Sequence, residues 1–203
     1  MAEADFIYTA DEAYQRLVEG NARFVAGQGR SSAVDKDALA DLAKGQRPYA
    51  TILSCSDSRV PPELVFDAGF GELFIIRVAG NVIAPEVAGS LQYAIVHLRT
   101  PLIVVMGHER CGAVQAALSA IRQGTRERER IALLLERIIP GLAGVDPTLP
   151  QDAQVQAGVE ANVRWSMHQL LDSPEGRARM EEGILRLEGA VYELETGRVR
   201  FLS

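Results

Sequence analysis

The sequence predicts an α/β fold: a mainly parallel four-stranded sheet flanked by helices, with an antiparallel edge strand at the carboxyl end and a helical arm at the amino end. Three observations predict it. The apolar runs Tyr49-Ala50-Thr51-Ile52-Leu53 and Pro101-Leu102-Ile103-Val104-Val105-Met106 are near-continuous rather than alternating, as suits strands buried on both faces. Stretches of helical periodicity separate them, giving the strand–helix alternation of βαβ units. Ala190 to Leu194 and Arg198 to Leu202 instead alternate around Thr196-Gly197, which reads as a hairpin.

Taken in order, Thr9-Ala10-Asp11-Glu12 is a capping box that opens a helix, with Tyr14, Leu17, Asn21 and Phe24 at helical spacing and Gly27 near its end. A second short helix runs from Asp35 to Lys44, with Leu39 and Leu42 inward and Gly45 as its stop. Residues 1–45 form the arm and 46–203 the α/β core of one domain. The first strand covers about 49–54, and Pro61-Pro62 opens a short helix to about 67, where a proline in the first turn costs little. Glu72 to Arg77 is the second strand. Pro85 to Leu98 is a helix with Val87, Leu91, Ala94, Ile95 and Leu98 on its apolar stripe. The third strand is 101–106, followed by a helix over Gly112 to Arg122 whose alanines allow close packing. The run Arg126-Glu127-Arg128-Glu129-Arg130 is a solvated start to a helix ending near Ile139. A long helix over 151–171 buries Val155, Val159, Val163 and Leu170, with Trp165 and Met167 as packing. Ser173-Pro174 caps a last helix reaching about Leu187.

Composition narrows the function. A net charge of −6, from 21 basic and 27 acidic residues, argues against nucleic acid and anionic membrane as partners. No apolar run approaches the roughly 20 residues that a spanning helix needs. The acidic start Met1-Ala2-Glu3-Ala4-Asp5 has no signal-peptide core, so the expected compartment is the cytoplasm, or the periplasm if a leader has been removed.

The chemistry gathers in residues 55–111. This stretch begins Cys55-Ser56-Asp57-Ser58-Arg59, ends His108-Glu109-Arg110-Cys111, and contains both cysteines of the chain. In a parallel sheet the strands before Cys55 and His108 point the same way. Cys55, Asp57, His108 and Cys111 then meet at one mouth, where open α/β sheets bind ligands. Two thiolates, an imidazole and a carboxylate are zinc ligands in kind and number. No C-x-x-C is present, which disfavours a redox pair. Asp57 has two roles open to it. It can fill the fourth zinc position and close the site, or it can turn to Arg59 in a bidentate ion pair and leave that position to water.

C-S-D-S-R followed by H-x-x-C resembles the β-class carbonic anhydrases. The likeness takes in Gly71-Glu72-Leu73-Phe74, Arg77 with Ala79-Gly80-Asn81, Gly89-Ser90-Leu91-Gln92-Tyr93-Ala94, Gly107-His108 and Cys111-Gly112. It implies reversible hydration of carbon dioxide to bicarbonate and a proton by zinc-bound hydroxide. Cys55, His108 and Cys111 would be the metal ligands, with Asp57 a ligand only in a closed state, and Asp57 and Arg59 would form an orienting dyad. It further implies a pocket wall of Phe74, Ala79 and Tyr93, with Gln46 as a polar contact to substrate oxygen. The family also implies an amino-terminal helix that reaches a partner subunit, in a dimer or a dimer of dimers. Ile52 stands where some members carry a tryptophan that helps form a regulatory bicarbonate pocket. An aliphatic chain offers an anion no donor, and Gln46 matches the plant-like branch, whose site stays open. His97 and His168 each lie on a helix without a partner motif and are expected in surface or structural roles. Two other readings stay open: a hydrolase on the same scaffold for another small linear substrate such as carbon disulfide, and a closed structural zinc module.

Overall fold

A computed structural model describes residues 8–30, 36–172 and 174–202. Strand β1 (Ala50–Ser54) is buried along its whole length, and so is β3 (Leu102–His108). These are the near-continuous apolar runs, and they lie side by side in parallel, with Thr51 opposite Ile103 and Ser54 opposite Met106. β2 (Leu73–Arg77) flanks β1 in parallel, β4 (Arg186–Tyr192) flanks β3 in parallel, and β5 (Val199–Leu202) closes that side antiparallel to β4. The order among the described residues is β2-β1-β3-β4-β5, so four strands run parallel and the carboxyl-terminal one reverses, as the sequence predicts.

Two boundaries differ from expectation. The last helix, α8 (Pro174–Glu181), does not reach Leu187: Gly183 takes φ 69° and ends it, and Arg186 onward pairs with β3. The apolar residues 184, 185 and 187 fit a helical stripe as well as a strand start, so their spacing misleads. The helix predicted over 85–98 is α-helical only in α4 (Pro85–Tyr93). Residues 94–98 widen into a π-turn that Arg99 stops in the left-handed region.

Between the strands run α3 (Pro62–Val65), α5 (Gly112–Gln123), α6 (Glu129–Ile138) and α7 (Gln151–Leu171). α7 packs Val159 and Val163 into the core beneath β3 and β4. The predicted hairpin turn is present: the Glu193 N–H donates to the Arg198 carbonyl at 2.8 Å, and the Gly197 N–H to that of Glu193 at 2.9 Å.

The first helix, α1 (Ala10–Val25), starts on the predicted capping box, with the Glu12 N–H donating to Thr9 Oγ1 at 3.2 Å and the Thr9 N–H to Glu12 Oε2 at 2.7 Å. It packs on its own chain. Ala13 and Leu17 are fully buried, Asn21 bonds the backbone of residues 65, 197 and 199, and Arg23 pairs with Asp67 at 2.6 Å. Tight docking is possible because Gly20 lies directly on the Phe66 carbonyl. α2 (Lys36–Leu42) buries none of its residues, and Leu39 is exposed rather than inward. Asp35 and Ser173, expected to start helices, lie outside the described residues, as does the acidic amino terminus.

Candidate metal centre and active site

Cys55 directly follows β1, His108 ends β3, and Cys111 precedes α5 as its N-cap. β1 and β3 are neighbours, but the chain leaves β1 toward β2 on one side and β3 toward β4 on the other. Their carboxyl ends therefore flank the crevice where open α/β sheets place ligands. Arg110, at φ 53°, turns the chain sharply enough to bring Cys111 back beside His108.

The two sulfurs and the imidazole nitrogen lie within 4.8 Å of one another, on residues that are all buried. His108 Nδ1 is 2.8 Å from the Glu109 carbonyl oxygen. A carbonyl only accepts, so Nδ1 carries the proton and Nε2 offers its lone pair to the sulfurs. Nε2 is buried with no protein hydrogen-bond partner. Such an orphaned acceptor between two thiols is what a metal with affinity for nitrogen and sulfur requires, so the residues fit the ion. The turn itself is anchored to the hairpin: the Glu109 N–H donates to the Tyr192 carbonyl at 3.0 Å, and the Leu194 N–H to Glu109 Oε2 at 2.9 Å.

Cys55 is driven below the usual thiol range, first by the bond from Cys111 and then, against burial, by the N–H groups of Gly80 and Asp57. The same bond and its own burial push Cys111 up. Metal binding at these sulfurs would release their protons.

Asp57 turns to Arg59. Arg59 Nε donates to Oδ1 at 2.9 Å, Nη2 to Oδ2 at 2.8 Å, and the Arg59 N–H to Oδ1 at 3.0 Å. These bonds, led by the guanidinium, hold the carboxyl well below the usual carboxylate range. Oδ2 remains 3.9 Å from His108 Nε2, so the carboxylate borders the donor cluster. Arg77 fixes this loop from behind, donating to the carbonyls of Cys55 at 3.0 Å and Asp57 at 2.6 Å.

Of the expected pocket residues, Phe74 and Tyr93 meet with ring centroids 6.2 Å apart, and Ala79 is half-buried just past β2. Tyr93 is 48% exposed. Gln46 is not brought to them. It is exposed and lines a surface groove with Leu42, Arg47 and Phe70 that contains none of the donor residues. His97 meets Tyr93 at a tilt, with ring centroids 4.9 Å apart, and His168 pairs with Asp172 on the surface at 3.1 Å.

Sequence reasoning passed over two residues. Asn162 and Ser166 on α7 are buried and bond the carbonyls of Gly80 and Asn81, beside Cys55. Their only signal was polar residues on a face shared with Val155, Val159 and Val163.

Comparison with known proteins agrees with this geometry. The sequence model of the carbonic anhydrase family matches residues 50–199. Carbonic anhydrase 2 of Mycobacterium tuberculosis is 42% identical over 188 residues, covering 92% of this chain and 89% of the relative. The carbonic anhydrase of Mycolicibacterium smegmatis is 38% identical over 193 residues, covering 94% and 92%. Among solved structures, a tetrameric β-carbonic anhydrase from Sordaria macrospora superposes with TM-score 0.75 at 26% identity, covering 81% of this chain and 85% of that one.

Proposed function

The chain belongs to the β-class carbonic anhydrase family, and from that premise we propose that it catalyses reversible hydration of carbon dioxide to bicarbonate and a proton, with zinc held by Cys55, His108 and Cys111. The observation that carries the reading is the buried donor trio with Asp57 beside it but paired to Arg59. When bound, zinc supplies an acidified water as nucleophile. Asp57, held ionised, would accept a hydrogen bond from the nucleophile and orient it toward the substrate carbon. Arg59 holds the carboxylate by two parallel bonds, Nε to Oδ1 at 2.9 Å and Nη2 to Oδ2 at 2.8 Å, which would keep Asp57 in that orienting role rather than as a ligand. Carbon dioxide is uncharged, and Phe74, Ala79 and Tyr93 give it an apolar wall. This is the arrangement of the plant-like, constitutively open branch, and a buried Ile52 with no donor for an anion fits it.

Gln46 and the exposed face of Tyr93 support a homo-oligomer, dimer or dimer of dimers, in which a second copy completes the pocket; the Sordaria relative is tetrameric. Residues 1–203 act as one domain. No helix among the described residues is long and apolar enough to cross a membrane. We place the protein in the cytoplasm, or in the periplasm if a leader has been removed.

Zinc content measured together with stopped-flow hydration of carbon dioxide tests the reading. About one zinc per chain with rapid hydration is expected. Full zinc without hydration would refute it and favour a different linear substrate or a purely structural metal.

A further inference from the structure

The loop Ala79-Gly80-Asn81 has no obvious reason to hold its shape. Gly80 takes φ 67° and Asn81 φ 44°, two consecutive residues in the left-handed region. Such backbone persists only where its surroundings over-determine it. Here a Cβ on Gly80 would meet Ile138 Cδ1 at 2.7 Å and Ala113 Cβ at 3.1 Å, so the loop is wedged between α5 and α6. Its other side is tied to α7. Asn162 Nδ2 donates to the Gly80 carbonyl at 2.8 Å, and Ser166 Oγ to the Asn81 carbonyl at 3.0 Å. The outcome is that the Gly80 N–H points at Cys55 Sγ, 3.4 Å away.

Asn162 and Ser166 stand one helical turn apart and are 1% and 0% exposed. Burying polar groups is unfavourable unless they are bonded, and the neighbouring Val159 and Val163 show that this face packs well with aliphatic side chains. The loop carbonyls satisfy the Asn162 amide N–H and the Ser166 hydroxyl, although Asn162 Oδ1 has no hydrogen-bond partner among the described residues. We infer that Asn162 and Ser166 are positioning residues, which lock the 79–81 loop so that the Gly80 N–H stays bonded to the Cys55 sulfur and sets how strongly that sulfur donates to the metal. This rests on the metal reading above and extends it to residues far from the ligands in sequence. An N–H bond withdraws charge from a thiolate, so the metal keeps more of its own charge and polarises bound ligands more strongly. Such outer groups commonly matter 10- to 100-fold in metal affinity or activity.

Cobalt substitution gives a readout besides turnover, because the thiolate-to-cobalt charge-transfer band reports the energy of the sulfur lone pair. In Asn162→Ala and Ser166→Ala the band should move to lower energy, and kcat should fall roughly tenfold or more. Ser166→Thr, which keeps the hydroxyl, should recover both. Val155→Ala, on the same helix but away from the loop, should lower thermal stability and leave the band in place. Should Asn162→Ala fail to fold, Ser166→Ala carries the test, since it removes a single oxygen. A band at the parent position in these two variants overturns the positioning role even if activity drops. A parent protein with no thiolate-to-cobalt band at all would instead refute the metal centre, and the positioning role with it.

Discussion

Replacing Gly20 by alanine sets two effects of known sign against each other. In a free helix the change stabilises by about 1 kcal/mol, because glycine is the poorer helix former. In this protein the new Cβ would lie 1.9 Å from the Phe66 carbonyl oxygen and 2.8 Å from its carbon. Backbone cannot yield as a side-chain tip does, so α1 must retreat by roughly 1 Å before ordinary contact is restored. Asn21 is the next residue. Its Nδ2 donates to the carbonyls of Val65 at 3.0 Å and Gly197 at 2.9 Å, and its Oδ1 accepts from the Val199 N–H at 2.8 Å. A retreat of that size breaks all of these, at about 1 kcal/mol each. It also loosens Leu17 and Ala13, which are fully buried. The loss exceeds the propensity gain by about 2–3 kcal/mol, which for a chain of this length is a fall in Tm of roughly 5–10 °C. Calorimetry or circular dichroism of the metal-loaded protein measures it. A Tm equal to or above the parent's, as helix propensity alone would give, would refute the docking of α1 on its own core.

Other outcomes follow from the site. Cys111→Ser should lose most of the zinc, because a hydroxyl is a far poorer ligand than a thiolate; full zinc by elemental analysis would show that the ligands are misassigned. Asp57→Asn should keep zinc but lower kcat on the order of a hundredfold, through loss of orientation, and an unchanged rate would remove the dyad. Burial alone would raise Asp67, but bonds from Arg23 and Arg30 outweigh it and hold it below its ordinary value. A depressed carboxylate contributes stability that is present above its unfolded pKa, near 4, and lost as pH falls through the lower folded value. Urea unfolding should therefore show Asp67→Asn less stable than the parent at pH 6, with the gap closing toward pH 3; a gap that widens in acid would contradict the sign. Bicarbonate should inhibit hydration along a simple hyperbola, because buried Ile52 offers an anion no donor, and steep cooperative inhibition would refute this.

How much of this was legible in the sequence depended on where each residue's partner lies. Cys55, His108 and Cys111 could be read because each follows an apolar run whose direction a parallel sheet fixes, so knowing the strands was enough to bring the three together. Asp57 and Arg59 are two residues apart, and their pairing is local. Gln46 could not be placed, because nothing local in the sequence fixes its partners; the chain leaves it exposed on a groove with Leu42, Arg47 and Phe70. The 184–187 stretch was misread because its apolar residues fit either period, and only pairing with β3 decides for a strand. Asn162 and Ser166 were invisible for a stronger reason. A neutral amide and a hydroxyl on a helix usually mark a solvated face, and what turns them inward is a pair of carbonyls more than eighty residues earlier in the chain. Those carbonyls face α7 only because Gly80 and Asn81 adopt left-handed backbone, which no hydrophobic period encodes. The donor atoms of this cluster are thus specified by two strand ends and the turn at Arg110, while the orientation of the Gly80 N–H toward Cys55 is specified by a helix that contributes no donor. Substitutions on α7 are accordingly expected to tune the metal without removing it.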